Sequence, residues 1–281
     1  NEHGGQSAGA FLQFSPHVQA AIVAEAHRAG ITAQAHCMTV EGLRIAIEAG
    51  CDLITHCNIT RPTPIPESTL DLFVQRKTGA VVFPWTQRRL DWFFNVSAQG
   101  GYATEFAHTM YRAADVNVRN LIQCGATLLL ANDAGVMPPE LAQDPTMGQW
   151  AGLDVDNYLD IAQGHFFWFQ AMEEKGCRPM DMLRAATRNI AAAYGLDRDL
   201  GTLEPGKVAD LLILEKNPLE AAENYRSIRS IIKEGAVVDT EALPTKPILT
   251  APREAEAPEE AADVTFLRAG KSSTFPMCMC H

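Results

Sequence analysis

Three side chains of the kind that bind metals in proteins follow predicted apolar strands. His36 closes the run at residues 30–36, His56 closes the run at 52–56, and Asp133 follows the run at 127–131. Neutral imidazoles suit zinc and similar divalent metals, while a carboxylate can ligate a metal and also accept a proton from water. A lone histidine at a strand end is more often structural, so the combination of the three residues predicts the site.

The segment between the two histidines is predicted to be a helix that places them on one edge of a sheet. Thr39 is a suitable N-cap, Leu43 and Ile47 recur at helical spacing, and Gly50 ends the pattern. Parallel strands joined by a helix bring both carboxyl ends to the same edge. His36 and His56 are therefore predicted to face one ligand, as half of a metal site.

The rest of the chain continues the alternation of strands and helices and then changes character. Ser15 and Pro16 predict the start of a helix, and residues 80–83 a third buried strand. Residues 87–103 and 137–156 are predicted to be long loops on the edge that carries the histidines, with helices near 158–175 and 180–194. After residue 199 the period becomes strand-like, and from residue 242 proline, alanine and glutamate dominate. These changes predict an α/β domain at 1–199, a small β unit at 200–241 and a disordered tail at 242–281.

Composition favours small-molecule chemistry. The 281 residues carry a formal net charge of −11, which argues against a nucleic-acid partner and against an anionic membrane surface. No run of eighteen apolar residues occurs, and the seven scattered cysteines favour a reducing, cytoplasmic compartment over a disulfide framework. The first residue is Asn1, with no initiator Met or signal-peptide pattern, so the chain is expected to continue a longer gene product.

Three stretches of sequence resemble the amidohydrolase superfamily, and in particular its imidazolonepropionase-like and Xaa-Pro dipeptidase-like branch. They are AQAHCMTVEGLRIAIEAGCDLITHC, LLLANDAG and LRAATRNIAAAYGLDRDLGTLEPGKVADLLILEKNPLE. The resemblance implies the C-terminal portion of a (β/α)₈ TIM-type barrel, about strands 5–8, with part of a small β-sandwich. It also implies hydrolysis of a C–N bond with one or two divalent ions, zinc being the expected metal.

Matched to the family motifs, His36 resembles the metal ligand of strand 5, His56 that of strand 6 and Asp133 the aspartate of strand 8. Asp133 would then bind metal and act as general base. The His-x-His pair of the family is absent, and no lysine occurs in residues 1–35. Two alternatives therefore stay open beside the hydrolase: a non-catalytic scaffold or pseudoenzyme remnant, and one chain of a split enzyme completed by an N-terminal fragment. A homo-oligomer is a further expectation.

Three other side chains are weaker candidates for contact with the small-molecule substrate. Arg88 and Arg89, in the predicted loop after the third strand, could bind a substrate carboxylate, although a solvated loop pair is the simpler interpretation. His165 begins an aromatic helix and is expected to line the pocket or the core.

Overall fold

The centre of the molecule is a parallel sheet whose strands follow one another in chain order. The computed structural model describes residues 2–4, 10–97, 102–133, 155–158, 160 and 162–243. Within them, the four-stranded sheet has the order β3-β4-β5-β6. Its strands are β3 (Gln34–His36), β4 (Leu53–Thr55), β5 (Gly79–Val82) and β6 (Thr127–Leu130). Two short strands, β1 (Glu2–Gly4) and β2 (Ala10–Leu12), precede it and pair antiparallel.

Three helices connect the first strands, and their caps explain where two of them begin. The helices are α1 (Pro16–Arg28), α2 (Val40–Glu48) and α3 (Glu67–Arg76). The Ser15 hydroxyl accepts a hydrogen bond from Val18 N at 3.3 Å, and the Thr39 hydroxyl accepts one from Gly42 N at 3.0 Å. Each bond satisfies an amide that has no partner inside the helix. Both caps confirm the predicted helix starts.

The main core lies between the sheet and the helices that cover it. Its fully buried members include Leu43, Ile54, Phe73, Val82 and Trp168. The Trp168 indole also donates a hydrogen bond to the Val82 carbonyl at 3.1 Å, so the largest core side chain has its polar atom satisfied.

Residues 87–97 form a helix, and the predicted loop at 87–103 is wrong over that range. The helix α4 (Gln87–Ser97) is followed by α5 (Tyr102–Gln123). The two helices are joined by aromatic side chains: the rings of Phe93 and Tyr111 have centroids 4.8 Å apart, and those of Phe94 and His108 5.0 Å apart. These contacts stabilise a helix that polar composition alone does not predict.

The C-terminal third places three helices and a small antiparallel sheet beside the parallel one. The helices are α6 (Gly164–Glu174), α7 (Pro179–Ala186) and α8 (Arg188–Ala193). The predicted helix at 180–194 is interrupted at Thr187, whose φ of −133° is not helical. The sheet has the order β7-β8-β9, with β7 (Leu211–Leu214), β8 (Ile228–Lys233) and β9 (Ala236–Val237).

A 3₁₀ helix, Ala222–Arg226, attaches the small sheet to α6. Ala222 N donates to the Glu173 carboxylate at 2.8 Å, and the ring of Tyr225 stacks on Phe169 with centroids 3.7 Å apart. The boundary near residue 199 stays a prediction, and most of the predicted tail, residues 244–281, lies outside the described residues. Across the described ranges, no helix is long and apolar enough to cross a membrane.

Candidate active site

The three predicted ligands meet at the carboxyl edge of the parallel sheet. His36 is the last residue of β3, and its register partner Thr55 is the last residue of β4, so His56 lies one position beyond that edge. Asp133 follows the end of β6 by three residues. Although β5 separates β4 from β6, the His56 Nε2 and Asp133 Oδ2 atoms are 3.5 Å apart.

The two histidines are also neighbours. Their ring centroids are 4.7 Å apart and the rings meet edge to face at 63°. His56 thus lies between His36 and Asp133 and contacts both. Two of the contacts expected of a shared site, His36 with His56 and His56 with Asp133, are therefore present, and the binding of one metal by all three residues stays a prediction.

The backbone takes a left-handed conformation at two of these residues. His56 has φ of 56° and Asp133 has φ of 52°. Such values cost non-glycine residues on the order of 1–3 kcal/mol, although aspartate and histidine tolerate them better than most residues. Strained residues of this kind occur at active sites, but this chain also has them at turns such as Lys77 and Glu234, so the conformation is only consistent with a site at this edge.

His56 is held in an apolar environment that keeps its ring neutral. The residue is 3% exposed, and its ring stacks on Phe83 with centroids 4.6 Å apart. Burial lowers the pKa of His56 to about 4, because the charged imidazolium loses its hydration. Near pH 7 the ring is therefore neutral and keeps a nitrogen lone pair, which is the form that binds metals.

The donor set fits a divalent metal in its chemistry. Two imidazoles and a carboxylate suit zinc and related ions, and the buried neutral ring of His56 has the required protonation state. Among the described residues, however, no group of three or more His, Cys, Asp and Glu side chains forms a ready-made metal cluster. His36, His56 and Asp133 are the residues that could hold the metal.

A buried amide network fixes the turn that carries His56. The Asn58 side chain accepts a hydrogen bond from Phe83 N at 2.9 Å and donates one to the Phe83 carbonyl at 3.2 Å. Asn117 of α5 accepts from Ile65 N at 2.7 Å and donates to the Asn58 carbonyl at 2.9 Å and to the Thr60 hydroxyl at 2.7 Å. Both asparagines are almost fully buried. Their side chains bind backbone groups at the point where the chain leaves β4, where, among the described residues, no neighbouring strand pairs with it.

Arg88 and Arg89 belong to the first turn of α4 rather than to a loop. The Arg88 side chain is 67% exposed and donates to the Asp156 carboxylate at 3.0 Å. Arg89 is buried and donates to the Val155 carbonyl at 2.8 Å. The interpretation of a solvated pair is therefore wrong for Arg89, and contact of either arginine with substrate stays a prediction.

His165 is exposed in the first turn of α6. Its neighbour Gly164 lies against the backbone of Tyr158 and the side chain of Asn132: a Cβ there would be 2.2 Å from the Tyr158 oxygen and 2.4 Å from Asn132 Nδ2. Because Asn132 precedes Asp133, the start of α6 lies beside the third ligand. A pocket-lining role for His165 stays a prediction.

Sequence reasoning missed the residues that support the site, namely Asn58, Asn117, Asp156 and Tyr158. An asparagine two positions after a candidate ligand is a weak signal, although Asn58 in the segment His56-Cys57-Asn58 could have suggested a structured turn. Asn117 offered no such signal, because its partners lie more than fifty positions away. The predicted loop at 137–156 lies outside the described residues except for its last two positions.

Comparison with protein families matches residues 117–239 to the model of the Amidohydrolase family. Ochratoxinase from Aspergillus niger is 25% identical over 225 residues, which cover 79% of this chain and 40% of that protein. This chain thus spans less than half the length of that relative.

Two solved structures match the chain at higher sequence identity than ochratoxinase does. The chain is 31% identical to molinate hydrolase, with a TM-score of 0.77 over 90% of this chain and 52% of that one. It is 33% identical to phenylurea hydrolase B, with a TM-score of 0.75 over 88% and 52%. A Xaa-Pro dipeptidase, 22% identical with a TM-score of 0.60 over 80% and 49%, shares the fold. The resemblance to the amidohydrolase family is confirmed over residues 117–239, and the likeness to the Xaa-Pro dipeptidase is one of fold.

Proposed function

This chain contains an amidohydrolase family domain, and on that premise we propose that it belongs to a metal-dependent hydrolase of C–N bonds. The convergence of His36, His56 and Asp133 at one edge of the parallel sheet is the observation that carries the proposal. The substrate class is a small molecule with an amide, cyclic amide, dipeptide-like or urea linkage. The likeness to phenylurea hydrolase B supports a urea linkage in particular.

The proposed site has distinct roles for its three side chains. His36 and His56 would hold one or two divalent ions, zinc being the expected metal, together with Asp133. A bound divalent ion supplies Lewis-acid polarisation of the substrate carbonyl and lowers the pKa of water. Asp133 accepts the proton of the attacking water and can return it to the leaving nitrogen. Stacking on Phe83 keeps the His56 ring fixed while this proton moves.

We assign the four parallel strands to about strands 5–8 of a (β/α)₈ barrel, and the small sheet to part of a β-sandwich. The strand order supports this assignment, as does a match that covers nine-tenths of this chain but about half of molinate hydrolase. In a barrel, catalytic groups lie at the carboxyl ends of the strands, which is where the three residues are found.

Metal content is the first test. The 281-residue chain, incubated with Zn²⁺ and freed of excess by gel filtration, should retain about one or two ions per chain by elemental analysis. Replacing His36, His56 or Asp133 by alanine should lower that content, because each substitution removes a ligand. His17→Ala, on the exposed surface of α1, is the matched control and should leave it unchanged.

Hydrolysis of phenylurea, followed by aniline release, tests the chemistry itself. Asp133→Asn should reduce the rate by about 10²–10⁴-fold, the usual contribution of a general base. Metal bound equally by all three alanine variants would contradict the site. Retained metal without hydrolysis of phenylurea would contradict the activity. If the chain binds metal or hydrolyses phenylurea only after an N-terminal fragment is added, it is one half of a split enzyme.

A further inference from the structure

The short segment at residues 155–158 is fixed to the start of α4 by buried polar contacts. The Asp156 carboxylate accepts hydrogen bonds from the Thr86 hydroxyl at 2.6 Å and from Arg88 Nη1 at 3.0 Å. The Asp156 side chain is 5% exposed, and its backbone is left-handed with φ of 43°. A buried carboxylate with two donors holds a strained backbone in a single conformation.

Arg89 fixes the same segment from the other side. It is 4% exposed, donates to the Val155 carbonyl at 2.8 Å, and places its guanidinium 4.9 Å from the Trp85 ring centroid and 4.8 Å from that of Tyr158. The two rings are neighbours, with centroids 5.8 Å apart, and the guanidinium lies over both of them. A guanidinium over aromatic faces is stabilised by cation–π attraction, which is stronger when water is excluded. Tyr158 is thus held at a defined position relative to β5.

That position is next to the candidate active site. Tyr158 packs on a core cluster that contains Phe83, the residue on which His56 stacks. The Tyr158 carbonyl oxygen and Asn132 Nδ2 approach the same point beside Gly164, and Asn132 immediately precedes Asp133. Tyr158 is only partly buried, so part of the residue remains open to contact with a ligand.

We propose that residues 155–158 form a fixed aromatic wall of the substrate pocket, in which Tyr158 selects a planar, apolar group attached to the scissile C–N bond. Arg89 is a positioning residue that holds this wall and does not touch substrate. The inference deepens the proposed function and rests on it for the location of the pocket. An aromatic wall favours planar groups because offset or edge-to-face ring contacts add to simple burial.

Equilibrium binding of two probes tests the wall without requiring turnover. Phenylurea and cyclohexylurea are similar in size, but only the first carries a planar ring. By titration of the Zn²⁺-incubated full chain, phenylurea should bind about three- to tenfold more tightly, the range expected for one aromatic contact. Tyr158→Leu should abolish this preference, whereas Tyr158→Phe should keep it.

Substitution of Arg89 tests whether this residue acts by holding Tyr158 in place, without touching the ligand. Arg89→Met should remove the preference although Tyr158 is unchanged, because the wall loses both its cation and its bond to Val155. Arg44→Met is the matched control: Arg44 makes exposed ion pairs with Glu41 and Glu48 on α2, and its loss should leave the preference intact. Thermal unfolding of each variant verifies that it is folded.

The outcomes distinguish the two proposals. Equal binding of the probes by the unaltered chain, no binding of either, or a preference that survives Tyr158→Leu would overturn the wall. A preference lost in Tyr158→Leu but retained in Arg89→Met would overturn the role given to Arg89. Absence of hydrolysis together with a tyrosine-dependent preference would refute the proposed function and leave the wall standing.

Discussion

Replacing Asn117 by alanine should destabilise the protein and loosen the turn that carries His56. The side chain is 0% exposed and makes three hydrogen bonds, one accepted from Ile65 N and two donated to Asn58 O and the Thr60 hydroxyl. A hydrogen bond contributes roughly 1 kcal/mol net, and a buried group left without its partner costs about 1–3 kcal/mol. Loss of all three bonds is therefore expected to lower the free energy of unfolding by about 3–5 kcal/mol.

Urea unfolding followed by far-ultraviolet circular dichroism measures this change. Asn120→Ala is the matched control, because Asn120 lies one turn further along α5 and is partly exposed. The control should change the free energy of unfolding by less than about 1 kcal/mol, as for most surface positions. Equal effects of the two substitutions would refute the argument that the buried network, rather than helix propensity, stabilises this region.

Three further substitutions test other contacts. The Tyr225 hydroxyl is buried and meets no hydrogen-bond partner within the described part of the chain, so Tyr225→Phe should keep or raise stability at pH 7 by up to about 1 kcal/mol in urea unfolding. Burial raises the pKa of Tyr225 to about 12, above its unfolded value of about 10, so between those pH values the unaltered protein should lose more stability than this variant as pH rises. Gly164→Ala should destabilise by at least about 1–3 kcal/mol in the same assay, because its Cβ would lie 2.2 Å from the Tyr158 oxygen; a neutral result would contradict that packing. Trp168→Phe should cost about 2–3 kcal/mol in thermal unfolding through the lost bond to Val82 and the cavity left behind, and a cost below about 0.5 kcal/mol would show that neither matters.

The positions of the three candidate ligands could be predicted from sequence because the signals are local. Apolar strands end at His36 and His56, and the intervening helix has its cap at Thr39, so the edge on which they meet follows from the handedness and direction of a β-α-β unit. Asp133 follows the same rule two strands later, after β6.

The support of the site could not be predicted, because it depends on contacts between distant segments. The segment of α4 is rich in polar and aromatic residues, which suggested a loop, and its helix is stabilised by rings on α5. Arg89 is buried because Val155 and Tyr158 compensate its charge, and both lie more than sixty positions away. Contacts between such distant residues leave no periodic pattern in the sequence, so the sequence of one segment does not predict them.

The agreement between strand order and chain order has a consequence for how the molecule assembles. Each of the strands β4, β5 and β6 pairs with the strand before it in sequence, so each new strand can add to an edge that already exists. Such contacts close short loops and favour fast, vectorial folding during synthesis. His36 and His56, at the ends of β3 and β4, would then come together first. Asp133, which follows β6, would join them last. A nascent chain therefore has all three candidate ligands in place only when the four-stranded sheet is complete.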